Sequence, residues 1–212
     1  MQNYKKKLNH ARGNTIFSYF CTMKLEEVIT QTVEVLRRGE TILYPTDTIW
    51  GIGCDARNRE AVERLYAIKE RDRSKSMLIL VGDKSNLSPL SFHLSPSDDR
   101  PTTYILPETV WRDEMGLAVA DNLCAADGSL GVRVPQHAFC QEVIRRLGAP
   151  LVSTSANLSG HPSPQRYEEI EEELKRRVNF CVPPLPEFHS GETHSSRIVK
   201  MNPDGTVTVI RP

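Results

Sequence analysis

Between Tyr44 and Gly53 the chain reads Tyr44-Pro45-Thr46-Asp47-Thr48-Ile49-Trp50-Gly51-Ile52-Gly53, and one short helix later it reads Lys69-Glu70-Arg71-Asp72-Arg73-Ser74-Lys75. Two hydroxyls in a glycine-flanked turn, then four cations within seven residues, suit a place that holds a polyanion beside a small polar molecule. Two later segments offer similar groups. Gly131-Val132-Arg133-Val134-Pro135 sets a guanidinium inside an apolar strand, where a half-buried charge needs a partner. Ser153-Thr154-Ser155-Ala156-Asn157 carries hydroxyls and an amide off the end of a strand. Each segment alone also has a plain structural reading: turn and cap residues for Thr46 and Thr48, a solvated helix end for the cations, a structural Asp or Glu beside Arg133, and an Asx or Ser turn. Arg73 keeps that reading. Together the segments read as a nucleotide enzyme.

The elements that must position these groups follow from periodicity. Leu25, Val28, Ile29, Thr32, Val33 and Leu36 recur at helical spacing, and the helix ends in Arg37-Arg38-Gly39, with cations at the C-terminal dipole and glycine at the cap. Thr41 to Tyr44 predicts a strand stopped by Pro45, and the stretch from there to Gly53 reads as a loop. Asn58 caps a helix with the apolar face Ala61, Val62, Leu65, Tyr66 and Ile68, which delivers Lys69 and Arg71. Strands are predicted over 77–81, 102–106, 130–134 and 151–154, with a helix over 136–147 closed by Gly148. Tyr167 to Val178 reads as one acidic amphipathic helix, and strands over 197–201 and 206–210 bracket the turn Asn202-Pro203-Asp204-Gly205. The Ser/Pro/Asp-rich run from Ser85 to Pro101 is the candidate mobile lid.

Composition narrows the class. At 212 residues, 39% hydrophobic and 25% charged, the chain suits one domain with a real core and contains no apolar run of bilayer-spanning length. Five scattered cysteines argue against a disulfide framework or a CxxC site and fit a reducing cytoplasm; Cys54 reads as a small buried residue. Residues 1–22 hold Lys5, Lys6, Lys7 and Arg12 and no acid, leaving 23 bases against 27 acids in the remainder. That body is no general nucleic-acid binder. The first 22 residues read as a disordered or mis-assigned leader, with Met23 a candidate start and residues 23–212 the single catalytic domain. Strands and helices alternate without the regularity of a doubly wound sheet, and neither GxGxxG nor GxxxxGK[ST] is present.

The PTDT turn, the Lys69/Arg71 segment, the GVRVP strand and the SxSxN turn, in that order, resemble the YrdC/TsaC family of L-threonylcarbamoyladenylate synthases, in its short single-domain form, from about Lys24 to Arg211. The resemblance implies an α/β fold, a twisted mixed sheet with flanking helices around a large, positively charged cavity. It implies a nucleotidyltransferase that joins L-threonine, bicarbonate or CO2, and ATP with Mg²⁺ into threonylcarbamoyl-AMP, releasing pyrophosphate. A separate transferase complex then uses the product to modify the tRNA adenosine next to the anticodon, and a tRNA contact belongs to the same expectation. Residue by residue, the resemblance puts Thr46, Thr48, Ser153 and Ser196 on threonine, and Arg133 on its carboxylate. Lys69, Arg71, Ser129, Ser155, Asn157 and Arg211 fall to the nucleotide. Lys69, Arg71 and Arg133 are the expected catalytic cations, and no protein metal cage is expected. This chain departs from the common pattern at Asp72, at Ser76 before Met77, at Leu80-Val81 where some members carry histidine, and at Ser195-Ser196-Arg197.

Two other readings compete. A noncatalytic module could grip double-stranded RNA or tRNA with the same basic concavity, and it would show salt-steep RNA affinity with no need of threonine. Carbamoyl transfer to a different amine on the same scaffold would show activity with that amine. A Ser-His-Asp hydrolase built on Ser155 lacks the GxSxG elbow.

Overall fold

The structure, a computed structural model, describes residues 24–73, 75–82, 100–188, 195–202 and 204–212. The leader, the lid candidate between 85 and 99, and the histidines at 189 and 194 lie outside the described residues.

Helix α1 (Leu25–Arg37) buries Val28, Ile29, Thr32, Val33, Val35 and Leu36 and is closed by Gly39 at φ +70°. Strand β1 (Ile42–Tyr44) turns back into β2 (Gly51–Gly53), and α2 (Arg59–Lys69) is capped by Asn58, whose side-chain oxygen accepts the Ala61 N–H at 2.9 Å. Next come β3 (Leu78–Leu80), β4 (Thr102–Leu106) and β5 (Leu130–Arg133). Helix α3 (Ala138–Leu147), β6 (Leu151–Ser155), α4 (Glu172–Arg177) and β7 (Phe180–Cys181) follow, and β8 (Arg197–Met201) and β9 (Val207–Arg211) complete the order.

All nine described strands form one mixed sheet in the order β7-β1-β2-β6-β3-β5-β4-β8-β9, parallel at β1/β7, β3/β5 and β4/β8 and antiparallel elsewhere. Strand alternation divides the core in two. Ile42, Tyr44, Leu80 and Leu151 pack with α1 and α3, while Leu43, Ile52, Ile79, Val132 and Val152 pack with α2 and with Trp111 and Leu123.

Two expectations are corrected. The stretch 45–53 is not all loop, because Gly51 and Gly53 let β2 lie close against β6; a Cβ on Gly53 would sit 2.0 Å from the Val152 carbonyl oxygen. The single helix over 167–178 is a short turn at Tyr167–Glu169 followed by α4. The break lies at Ile170 and Glu171, both extended, because Ile170 turns into the core and the Glu169 carboxylate takes the N–H groups of Gln165 and Arg166. Strand β7 and the short helical segment Thr109–Glu114, which buries Val110 and Trp111, were not anticipated.

Candidate active site

Helices α1 and α3 cover only part of their face of the sheet. The same face continues beyond them through Leu78, Gly131, Arg133, Ser153, Thr103 and Ile105, since Leu78 pairs with Gly131 and Ser153, Leu80 with Arg133, and Ile105 with Gly131. There a cavity of about 290 Å³ opens. That volume sits at the small end of the roughly 300–1,000 Å³ usual for ligand sites. Arg71, Arg133 and Arg211 reach it from three parts of the chain, among the hydroxyls of Thr46, Thr48, Thr103, Ser153, Ser155 and Ser196. Trp50 is an aromatic wall, and no carboxylate lines the cavity among the described residues. Three guanidiniums in a wall that carries no acid are the charge signature of an anion site.

Pro45 ends β1, and the turn that follows is locked by its own hydroxyls. Thr46 Oγ1 donates to the Ile49 carbonyl at 2.7 Å, accepts the Thr48 N–H at 3.1 Å and lies 2.9 Å from Thr48 Oγ1. Thr48 Oγ1 in turn accepts from Arg133 Nη1 at 2.9 Å. The threonine pair thus aims the arginine as well as lining the cavity. Arg133 is 3% exposed, and Asp47 Oδ1 lies 3.4 Å from its Nη2. The structural carboxylate considered for Arg133 therefore exists, and it coexists with a place in the cavity wall.

Arg71 donates from Nε to the Lys75 carbonyl at 2.8 Å and from Nη2 to the Ser76 carbonyl at 3.0 Å, so the loop after α2 fixes its fork at the cavity. Lys69 is placed differently. Its Nζ lies 2.7 Å from the Ser155 carbonyl, 2.9 Å from the Asn157 carbonyl, 3.2 Å from Ser155 Oγ and 3.3 Å from Asn157 Oδ1. It is 2% exposed and stands behind the wall rather than in it. Burial, helped by the Arg71 charge, pulls its pKa down to about 8. Asn157 also stands behind the wall, its amide donating to the carbonyls of Leu158 and His161 at 2.9 and 2.7 Å. Lys69 and Asn157 shape the turn that presents Ser155.

On the far side Ser196 Oγ lies 2.8 Å from Thr103 Oγ1, and the Ser196 carbonyl accepts from Arg211 Nε at 2.9 Å. An irregular register between Ile198 and Val199 lets Arg211 pair opposite Ile198 and turn inward. Ser129 lies outside the cavity, its hydroxyl donating to Asp127 Oδ1 at 2.6 Å. Asp47, Trp50 and Thr103 were missed as site residues. Asp47 and Trp50 sit inside the PTDTIWG run that drew attention to its threonines, whereas Thr103 is one hydroxyl in an ordinary strand pattern and gave no signal.

Cys54 is fully buried and burial raises its thiol pKa, as suits a packing residue. Among the described residues no group of three or more His, Cys, Asp or Glu side chains is placed to hold a metal ion, and no helix is long and apolar enough to cross a membrane.

Comparison with known proteins follows the same lines. Residues 34–212 match the Sua5_yciO_yrdC family model, described as "Telomere recombination". The chain is 32% identical over 164 residues to the threonylcarbamoyl-AMP synthase of Photobacterium profundum, covering 73% of this chain and 85% of that protein. To the synthase of the same name from Bacillus subtilis it is 30% identical over 161 residues, covering 73% of this chain but 45% of that protein. A crystal structure of P. abyssi Sua5 complexed with L-threonine superposes with a TM-score of 0.71 at 21% identity, covering 90% of this chain and 55% of that one. The chain therefore spans most of one relative and about half of two longer ones, and the twisted mixed sheet with its flanking helices is the fold they share.

Proposed function

The chain belongs to the Sua5/YciO/YrdC family, and we propose that it is a threonylcarbamoyl-AMP synthase, joining L-threonine, CO2 or bicarbonate, and ATP with release of pyrophosphate. The observation that carries this reading is the convergence of Arg71, Arg133 and Arg211 with ten serine and threonine residues on one cavity free of lining carboxylates among the described residues. Relatives bearing that name and a threonine-bound structure of the same fold support it.

Arg133 receives the carboxylate of threonine in its planar fork, and Thr46, Thr48 and Ser153 bound the same end of the cavity. The threonine amine attacks CO2 and gives up a proton to solvent, or attacks the bicarbonate carbon with loss of water, to form a carbamate. A carbamate oxygen then attacks the α-phosphorus of ATP, and the bond to the β-phosphate oxygen breaks as pyrophosphate leaves. Negative charge grows on the leaving group, where Arg71 and Arg211 offer fixed guanidiniums that cost no reorganisation. Lys69, bound to the 155–157 turn, keeps Ser155 in place; holding reactants in line supplies much of the rate in such a scheme. Mg²⁺ accompanying ATP would offset phosphate charge; the lining offers it no carboxylate among the described residues, so its ligands would come from the phosphates and water.

The product is a mixed anhydride whose acyl group is destined for an amine, and transfer to tRNA adenosine by a separate complex in the cytoplasm completes the reading. Incubation with threonine, bicarbonate and Mg-ATP should yield threonylcarbamoyl-AMP by mass spectrometry, with pyrophosphate in equal amount. Threonine-independent pyrophosphate release, or none in the wild-type chain, refutes the proposal.

A further inference from the structure

The ion pair between Asp47 and Arg133 is built in an unusual way. Both side chains are almost fully buried and Oδ1 stands 3.4 Å from Nη2. Yet Asp47 Oδ1 and Arg133 Nε each lack a hydrogen-bond partner among the described residues. The other carboxylate oxygen, Oδ2, accepts the backbone N–H of Gln136 at 3.0 Å, and Arg133 Nη1 donates to Thr48 Oγ1.

This arrangement separates two tasks. A carboxylate at 3.4 Å balances a guanidinium that could not be buried unpaired without a severe penalty. The Gln136 tether, meanwhile, holds one carboxylate oxygen away, so the two planar groups do not close into the bidentate pair that would use up the fork. His137, whose Nδ1 is also without a partner among the described residues, packs against Phe139 and Phe188, and burial lowers its pKa. Burial thus favours the neutral imidazole against the opposing pull of the Asp47 charge.

We propose that Asp47 is a positioning residue for carboxylate recognition: it charge-balances and aims Arg133 while leaving part of the fork unspent for the carboxylate of an amino-acid substrate. The inference rests on the reading above only in taking that amino acid to be threonine.

The test is calorimetric titration of the full-length chain, as wild type, Asp47→Asn and Asp47→Glu, with L-threonine, with L-threoninamide and with a non-hydrolysable ATP analogue. Wild type should prefer threonine to its amide. In Asp47→Asn the threonine Kd should rise about tenfold or more, the loss expected for one charge-assisted hydrogen bond. The amide and the analogue should stay within about twofold of wild type, and Asp47→Glu should restore the preference for the free carboxylate. A merely structural role would weaken all three ligands together, and that result, or an unchanged preference in Asp47→Asn, overturns the proposal. A wild-type chain that binds no threonine refutes the functional reading instead. The pairing is then judged by urea unfolding of Asp47→Asn, Arg133→Met and the double variant. A double variant more stable than Asp47→Asn alone supports it, as does a double variant that folds where the single one does not; strictly additive losses overturn it.

Discussion

Replacing Lys69 with methionine keeps most of the side-chain volume and removes only the ammonium, so stability and turnover can be separated. A pKa of about 8 against 10.5 for a free lysine means that burial costs the charged form about 3 kcal/mol at neutral pH. Methionine escapes that cost. Against it, the carbonyls of Ser155 and Asn157 lose their donor, at about 1–3 kcal/mol for each buried group left unmatched. The two effects largely offset each other, and urea unfolding at pH 7 should place Lys69→Met within about 3 kcal/mol of wild type. Turnover should not be spared, because the 155–157 turn loses its anchor, and a displacement of about 1 Å costs about 100-fold in rate. The pH dependence has a definite sign. The folded pKa lies below the unfolded one, so the unfolded chain holds more protons between about 8 and 10.5 and stability rises with pH there. This contribution is complete above 10.5 and is lost as pH falls through about 8. Relative to Lys69→Met, wild type should gain about 1–2 kcal/mol between pH 8 and pH 9.5. Parallel stability profiles, or pyrophosphate release in the variant within about fivefold of wild type, would refute the reasoning.

Arg133→Lys keeps the charge but not the fork, and should raise the threonine KM about 10- to 100-fold, checked by initial rates at saturating ATP. Gly53→Ala drives a methyl group into the Val152 carbonyl and should cost several kcal/mol, on the order of 3, by forcing β2 from β6; thermal unfolding reads it directly. Asn58→Ala removes the cap of α2 and should lower stability by about 1 kcal/mol in urea without altering the threonine KM.

Much of this fold was legible because its signals are local. The cap at Asn58, the glycines at 39 and 148 and the apolar runs at 77–81 and 130–134 each act within one turn or one strand. What escaped depends on distant partners. β2 is a strand because β1 and β6 flank it, with β6 close against its glycines, β7 has two residues and pairs with Ile42 and Leu43, and Trp111 is buried with its Nε1 donating to the Gly128 carbonyl. The site divides the same way. Residue types marked Thr46, Arg71, Arg133 and Ser155 for a common hollow, and the cavity contains them. No spacing along the chain could tell that Lys69 would turn its ammonium to two carbonyls behind the wall, or that Ser129 would bond to Asp127.

Strand β9 is exposed along its whole length and adds little to the core, yet it supplies Arg211. A ribosome that has delivered everything up to β8 has made nearly all of the packed interior and a cavity that lacks only Arg211 among its three guanidiniums. The packed interior and the complete ring of cavity guanidiniums are therefore reached at different moments of synthesis. Removing β9 alone would leave the packed interior nearly intact while taking one of the three guanidiniums from the cavity wall.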